Sequence, residues 1–342
     1  MAPDRTRQTR RRFLQGSAAL AGLSLVSGCG VLPSSWQQTA KVARIGFLHS
    51  FTRTGVDAFV AVFQEGLRDL GYVEGQNLTV EYRFAEGNIE RLPELAAELV
   101  RLAVDIIVVG TTPAIEAAKN ASGTIPIVIV SSGDPVDAGL IASFGRPGGN
   151  VTGVSSMAVE LSGKQLQLLK EAVPGVTRVA AIWNTTDAGM NAQYGKTVNA
   201  ARTLGIELLP LGVRTADDLD RAFEDAGSRR VDAIVLMPDP VIVGAVNRTR
   251  LVDLSSKSRL PTISGDPSFA ATGGLMSYGS ERSGLWRRVP YFVDKILKGA
   301  KPSDLPFEQP TSFDFVINLK TAQALGLTIP PSLLMQASEV IQ

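Results

Sequence analysis

Val104-Asp105-Ile106-Ile107-Val108-Val109-Gly110-Thr111-Thr112-Pro113 returns later in the chain as Val231-Asp232-Ala233-Ile234-Val235-Leu236-Met237-Pro238-Asp239-Pro240. Both segments place an apolar run, wholly β-branched over Ile106–Val109 in the first, after an aspartate and close it with a corner ending in proline. A run this short and apolar on both faces reads as a strand buried inside a parallel sheet. Thr or Asp followed by Pro reads as a helix start. The first residue caps the orphan N–H groups, and proline at the first helical position has no N–H to lose. Each segment therefore spells strand, corner, helix.

The pattern extends in both directions. Strands are predicted at 43–48, 78–82, 105–109 and 125–130, and helices at 56–70, 89–102, 113–121 and 136–144. The same order then recurs. Arg44-Ile45-Gly46 answers to Arg178-Val179-Ala180, and Leu70-Gly71 answers to Leu204-Gly205 at the same offset. Ile125-Pro126 with Gly133-Asp134-Pro135 answers to Leu260-Pro261 with Gly265-Asp266-Pro267 at nearly that offset. A period this long is not that of a solenoid. It predicts an α/β protein of two similar, open, parallel-sheet, Rossmann-like lobes. A helix at 283–297 and a strand and helix within 313–325 follow. They are expected to return and complete the lobes, so the chain crosses between them more than once.

In open α/β sheets, ligands bind beyond the carboxyl ends of the strands. The corners that mark those ends are Thr112-Pro113, Asp134-Pro135, Asp239-Pro240 and Asp266-Pro267. Capping alone, worth ~1 kcal/mol, accounts for any one of them. Four of them on two facing lobes predict a cleft in which at least one carboxylate reaches a ligand, with Asp239 and Asp266 preferred. Helix N-termini in the same place suit a carboxylate or other anion. The candidate ligand contacts are Ser50, Phe51, Thr111, Thr112, Ser132, Asp134, Asn184, Asp239, Asp266 and Tyr278, with Ser131, Thr185 and Asp187 beside them. Phe51, Trp183, Phe269 and Tyr278 are candidates for a stacking face, or for ordinary packing. His49, the sole histidine, is read as structural.

Several function classes are excluded or left without support. No G-x-S-x-G, Walker A or strand-following G-x-G-x-x-G motif is present. The Gly-rich Gly145-Arg146-Pro147-Gly148-Gly149-Asn150 follows a predicted helix and is read as the way into the second lobe. The formal charge of +1 rests on the N-terminus. Taking Arg5, Arg7, Arg10, Arg11 and Arg12 from 34 basic residues and Asp4 from 33 acidic ones leaves 29 and 32, a net of −3. Such a surface does not track nucleic acid. No cofactor is expected.

The N-terminus carries an address. Arg10-Arg11 followed by Phe13-Leu14 is the twin-arginine export pattern. The apolar run at 18–26 is too short to span a bilayer and reads as a signal core. Val26-Ser27-Gly28-Cys29 then has the form of a lipobox, and Cys29 is the only cysteine. Residues 1–28 are expected to be removed, Cys29 to carry lipid, and 29–41 to serve as a tether.

Phe63-Gln64-Glu65-Gly66-Leu67-Arg68-Asp69-Leu70-Gly71-Tyr72, Asp134-Pro135-Val136-Asp137-Ala138-Gly139-Leu140 and Asn150-Val151-Thr152-Gly153-Val154 carry a family likeness. So do Lys164-Gln165-Leu166, Ile296-Leu297-Lys298-Gly299 and Ile317-Asn318-Leu319-Lys320-Thr321-Ala322. On these segments, spread over 41–331, the chain resembles the ABC-transporter substrate-binding protein family that includes the tryptophan/tyrosine uptake lipoproteins. The resemblance implies a type I periplasmic-binding fold, in which two lobes joined by a three-strand hinge trap ligand on closure. The expected lobes are 42–152 plus 278–306 and 153–277 plus 307–342, with crossings at 149–154, 274–278 and 307–313. Family sites lie in the loops holding Ser50, Thr112, Asp134, Asn184, Asp239 and Asp266. The twin-arginine signal departs from the general-secretion signal usual in such proteins.

The expected function is that of a receptor outside the cytoplasm, held to the membrane by lipid at Cys29. It would be a monomer that delivers a small molecule to an ABC permease and its ATPase. An amino acid, aromatic as the first guess, is the expected cargo. The alternatives are a sensor that hands the ligand signal to another partner and an enzyme on the same scaffold.

Overall fold

A computed structural model of the chain describes residues 42–342 apart from 244. The twin-arginine segment, the lipobox with Cys29 and the tether at 29–41 lie outside the described residues.

The first lobe is built on β1 (Ala43–His49), β2 (Leu78–Phe84), β3 (Ile106–Val109), β4 (Ile127–Ser132) and β5 (Val151–Ser155). They lie in the order β2-β1-β3-β4-β5, all parallel. The second lobe repeats that order with β6 (Arg178–Asn184), β7 (Glu207–Val213), β8 (Ala233–Leu236), β9 (Thr262–Ser264) and β10 (Met276–Ser280) as β7-β6-β8-β9-β10. Register follows the sequence repeat. Ile45 faces Ile106 in the first sheet, and Val179 faces Ala233 in the second. Two strands extend the second sheet: β11 (Phe313–Asn318), antiparallel to β10, and β12 (Glu339–Ile341), parallel to β11.

Strand alternation explains the apolar runs. Ile106 and Val108 point into the core on one face of the first sheet, and Ile107 and Val109 into the core on the other. The aspartate that opens each repeated segment has a structural task at the opposite edge of the sheet from the corners. Asp105 accepts the Arg44 N–H (2.9 Å), and Asp232 accepts those of Thr177 and Arg178 (both 2.8 Å). Arg44 and Arg178 in turn donate to the carbonyls of Leu102 and Arg229.

The chain leaves the first sheet after Ser155, returns after Ser280 into helix Arg282–Leu297, and crosses again before Phe313. That helix packs Val289, Phe292 and Val293 into the first-lobe core beside Val60, Phe63 and Leu67. The first two crossings therefore come a few residues later than the expected 149–154 and 274–278, because β5 and β10 run on through those positions. The crossings are tied together. Ser155 N–H donates to the Glu308 carbonyl (2.8 Å), Glu308 N–H donates to that of Gly153 (2.9 Å), and Ser280 Oγ donates to that of Ser156.

One predicted helix is absent. Residues 136–139 form a turn and 140–144 run on irregularly. Leu140 and Ile141 N–H both fold back to the Pro135 carbonyl, and Gly139 takes φ +64°, which ends any helical course there.

Candidate ligand cleft

The carboxyl ends of the two sheets face one another across a pocket. From the first lobe come Phe51, Gly110, Thr111, Thr112, Ser131 and Gly133. From the second come Asp187, Met190, Gln193, Asp239 and Asp266, with Pro238, Val243 and Gly265 between them. The crossings and the helices they feed add Ser156, Leu161, Gln165, Ser280, Arg282 and Leu285.

The second-lobe carboxylates are held by the helices they start. Asp187 Oδ1 accepts the Met190 N–H (3.0 Å) and Asp239 Oδ1 that of Ile242 (2.7 Å). Asp266 Oδ1 accepts the N–H and hydroxyl of Ser268 (3.2 and 2.9 Å). Two of them have a second environment. Asp239 Oδ2 accepts from Asn184 Nδ2 at 2.5 Å. Asp266, 2% exposed, sits between Arg248 Nη2 (3.3 Å) and Arg282 Nη1 (3.5 Å). Arg282 thus shares the Asp266 carboxylate with Arg248. Arg282 also lies 5.0 Å from the centre of the Phe59 ring. Burial raises the Asp187 carboxyl above its ordinary range, against the opposing amide bonds from Met190 and Gly189.

The first-lobe corner is neutral. Ser50 Oγ and Thr111 Oγ1 share a hydrogen bond of 2.6 Å. With its hydroxyl so engaged, Thr111 does not cap helix Thr112–Ala121. Met157, which precedes helix Ala158–Ala172, makes no side-chain cap either, but the Glu160 carboxylate accepts its own N–H in the first turn of that helix. Both helices begin at the pocket. Behind Phe51 lies His49, 1% exposed, whose Nδ1 accepts the Phe51 N–H (3.2 Å). Burial, helped by the charge of Arg282, lowers the His49 pKa to about 3, so the ring is neutral at physiological pH.

Residues 44–341 match the model of a family described as ABC transporter substrate binding protein. The chain is 25% identical to the tyrosine-binding protein of Clostridioides difficile (strain R20291), over 91% of this chain and 90% of that one. It is similar to the ABC domain in complex with L-Trp from Streptococcus pneumoniae, with TM-score 0.80 and 28% identity over 87% of this chain and 99% of that one. A conserved domain protein from Vibrio cholerae aligns with TM-score 0.81 and 27% identity over 88% of this chain and all of that one. The chain belongs to the ABC transporter substrate-binding protein family. The description is one of binding for transport, not of catalysis, and the fold is the type I periplasmic-binding fold.

In this substrate-binding protein the expected contacts divide. Phe51, Thr111, Thr112, Asp239 and Asp266 line the cleft. Ser50 stands behind Thr111, and Asn184 holds Asp239 while facing a second pocket with Glu116 and Asp187. Ser132 is buried, its carbonyl accepting the hydroxyls of Ser155 and Ser156, so that Ser131 and Gly133 reach the pocket instead. Asp134 closes a local turn by accepting the N–H groups of Val136 and Asp137. Tyr278 packs its ring on Phe313 and Phe315. Trp183 stacks on Tyr194 with 3.9 Å between ring centroids, and Phe269 is fully buried in the second-lobe core. Among the described residues, Phe51 is the one aromatic lining the cleft.

Gln165, Gln193 and Arg282 were not among the expected contacts. Both glutamines are 1% exposed. Their signal was a polar residue inside a buried helical stripe: Met190, Gln193, Thr197 and Ala201 on one helix, Ser162, Gln165 and Leu169 on the other.

Proposed function

We propose that this chain is an extracytoplasmic receptor that captures an amino acid zwitterion between its lobes and delivers it to an ABC permease and its ATPase. The observation that carries the reading is the split of charge around one pocket. Asp187 and Asp239 face it from two corners, while Arg282, sharing Asp266 with Arg248, supplies positive charge at another. In this reading the carboxylates hold the ligand ammonium, and Arg282 with the uncapped start of Thr112–Ala121 receives the ligand carboxylate. Phe51 covers the side chain. The names of the tyrosine-binding relative and of the L-Trp complex support an aromatic amino acid as cargo.

Closure is the proposed working step. Ligand contacts from both lobes favour the closed state, the three crossings bend, and the closed face docks on the permease. The twin-arginine signal exports the chain and Cys29 anchors it by lipid. No helix among the described residues is long and apolar enough to cross a membrane.

The test is a melting screen of the purified chain against amino acids, nucleosides, sugars and small carboxylates. Ligand at a hundred times its Kd stabilises by roughly 2.7 kcal/mol. A shift confined to amino acids supports the reading. A shift confined to any other class contradicts it.

A further inference from the structure

Gln165 and Gln193 come from the neighbouring helices Ala158–Ala172 and Ala188–Leu204 and line the cleft together. Gln165 is pinned: its Nε2 donates to the Tyr278 carbonyl at 2.9 Å. That bond fixes the amide orientation, because the flipped amide would set two carbonyl oxygens against each other. Its Oε1 is then a buried acceptor without a partner among the described residues, and the same holds for both Oε1 and Nε2 of Gln193. Buried polar groups in folded proteins are almost always paired, and leaving one unpaired costs free energy. Three such atoms on two adjacent side chains in one pocket await a partner. Met190 and Leu161 beside them give that part of the cleft apolar walls.

We infer that Gln193, with Gln165 fixed beside it, reads a neutral hydrogen-bonding group on the ligand's side chain. The receptor would therefore select a phenol, indole N–H, amide or hydroxyl over an apolar side chain of the same shape. The inference rests on the amino acid reading above. The charged ends of the ligand have stronger partners in the carboxylates and in Arg282. A neutral amide offers both a donor and an acceptor, which suits a neutral polar group. A site built around buried polar atoms rejects an analogue that cannot pair with them much more strongly than an apolar pocket rejects a missing methylene.

The experiment is calorimetric titration of the full chain, and of Gln193→Met and Gln165→Met, with matched pairs: L-tyrosine and L-phenylalanine, L-tryptophan and L-3-(2-naphthyl)alanine, L-glutamine and L-methionine. In the pair that binds best, the hydrogen-bonding member is expected to bind at least tenfold tighter. Gln193→Met is expected to narrow that ratio below threefold by weakening the polar member alone. The ligand-free Gln193→Met protein should melt no lower than the parent, since it removes two unpaired buried atoms. Equal or tighter binding of the apolar member overturns the inference and leaves the amino acid reading standing. So does a uniform weakening of both members in the two variants. Binding of no member of any pair overturns both readings.

Discussion

Ser50 and Thr111 meet at 2.6 Å in the first lobe; at the corresponding corner of the second, Asn184 and Asp239 meet at 2.5 Å. The two pairs occupy matching corners of matching sheets, yet one is neutral and the other carries charge. The same divergence appears nearby. His49 corresponds to Trp183 near the end of the first strand. Asp134, which closes an exposed turn, corresponds to Asp266, buried between two arginines. Among the described residues, no charged side chain from the first lobe's corners lines the cleft. Strand order and register thus persist through the duplication while the corners diverge. A cleft whose walls differ in charge can hold an asymmetric ligand in one orientation.

The sharpest way to break this comparison is to cut both members of one pair. Asp266→Ala leaves two guanidiniums without their shared carboxylate and is expected to cost ~3 kcal/mol or more in urea unfolding. Asp134→Ala should cost about 1 kcal/mol or less. Equal losses would mean that the two corners are energetically alike after all.

Glycine positions in the last parallel strand of each lobe test what the lobes share. A Cβ on Gly153 would run into the Ile129 carbonyl, and one on Gly279 into the Gly265 carbonyl. Gly153→Ala and Gly279→Ala should each lose ~2 kcal/mol, with Gly153→Ala the worse because its φ is +141°. A neutral result at either site would show that the strands at the crossings yield without strain.

Acid should act through the first lobe. His49 has its pKa lowered to about 3 from 6.5. Between those values the unfolded chain binds a proton that the folded chain refuses. Stability is therefore full above pH 6.5 and falls as pH drops toward 3, by at most ~1.4 kcal/mol per pH unit. Urea midpoints of the parent and His49→Gln at pH 7, 5 and 4 should show a flatter slope in the variant, whatever its absolute stability. Identical slopes would place the acid response elsewhere.

The smallest effect expected is on binding. Asp187→Asn keeps a capping side chain and removes its charge. It should weaken amino acid binding about tenfold, the worth of a charge on one hydrogen bond, with little change in melting temperature. An unchanged affinity would remove Asp187 from the contacts.

Much of the fold was legible because it is written twice. Arg44 with Asp105, and Arg178 with Asp232, recur in sequence and make the same backbone clamp in space. Residues 136–144 misled because their apolar spacing is helical while Gly139 adopts a left-handed turn. The short β12 follows a proline-containing stretch and had no periodic signal. In the cleft, the corners told which loops line the pocket but not which of two neighbours does. Ser131 and not Ser132 lines it because β4 has a register irregularity against β5 between Ile129 and Ser132, beyond the reach of strict alternation. Gln165 and Gln193 lie within helices, where a corner-based reading does not look.

The most direct test of the unequal walls is equilibrium binding of one zwitterion and its two single-charge relatives. L-tyrosine would be compared with tyramine and 3-(4-hydroxyphenyl)propionate, and L-tryptophan with tryptamine and indole-3-propionate. If Asp187 and Asp239 hold an ammonium while Arg282 and the start of Thr112–Ala121 hold a carboxylate, both single-charge relatives should bind at least tenfold more weakly than their parent. Binding of either relative within threefold of the parent amino acid would contradict the charge-split cleft.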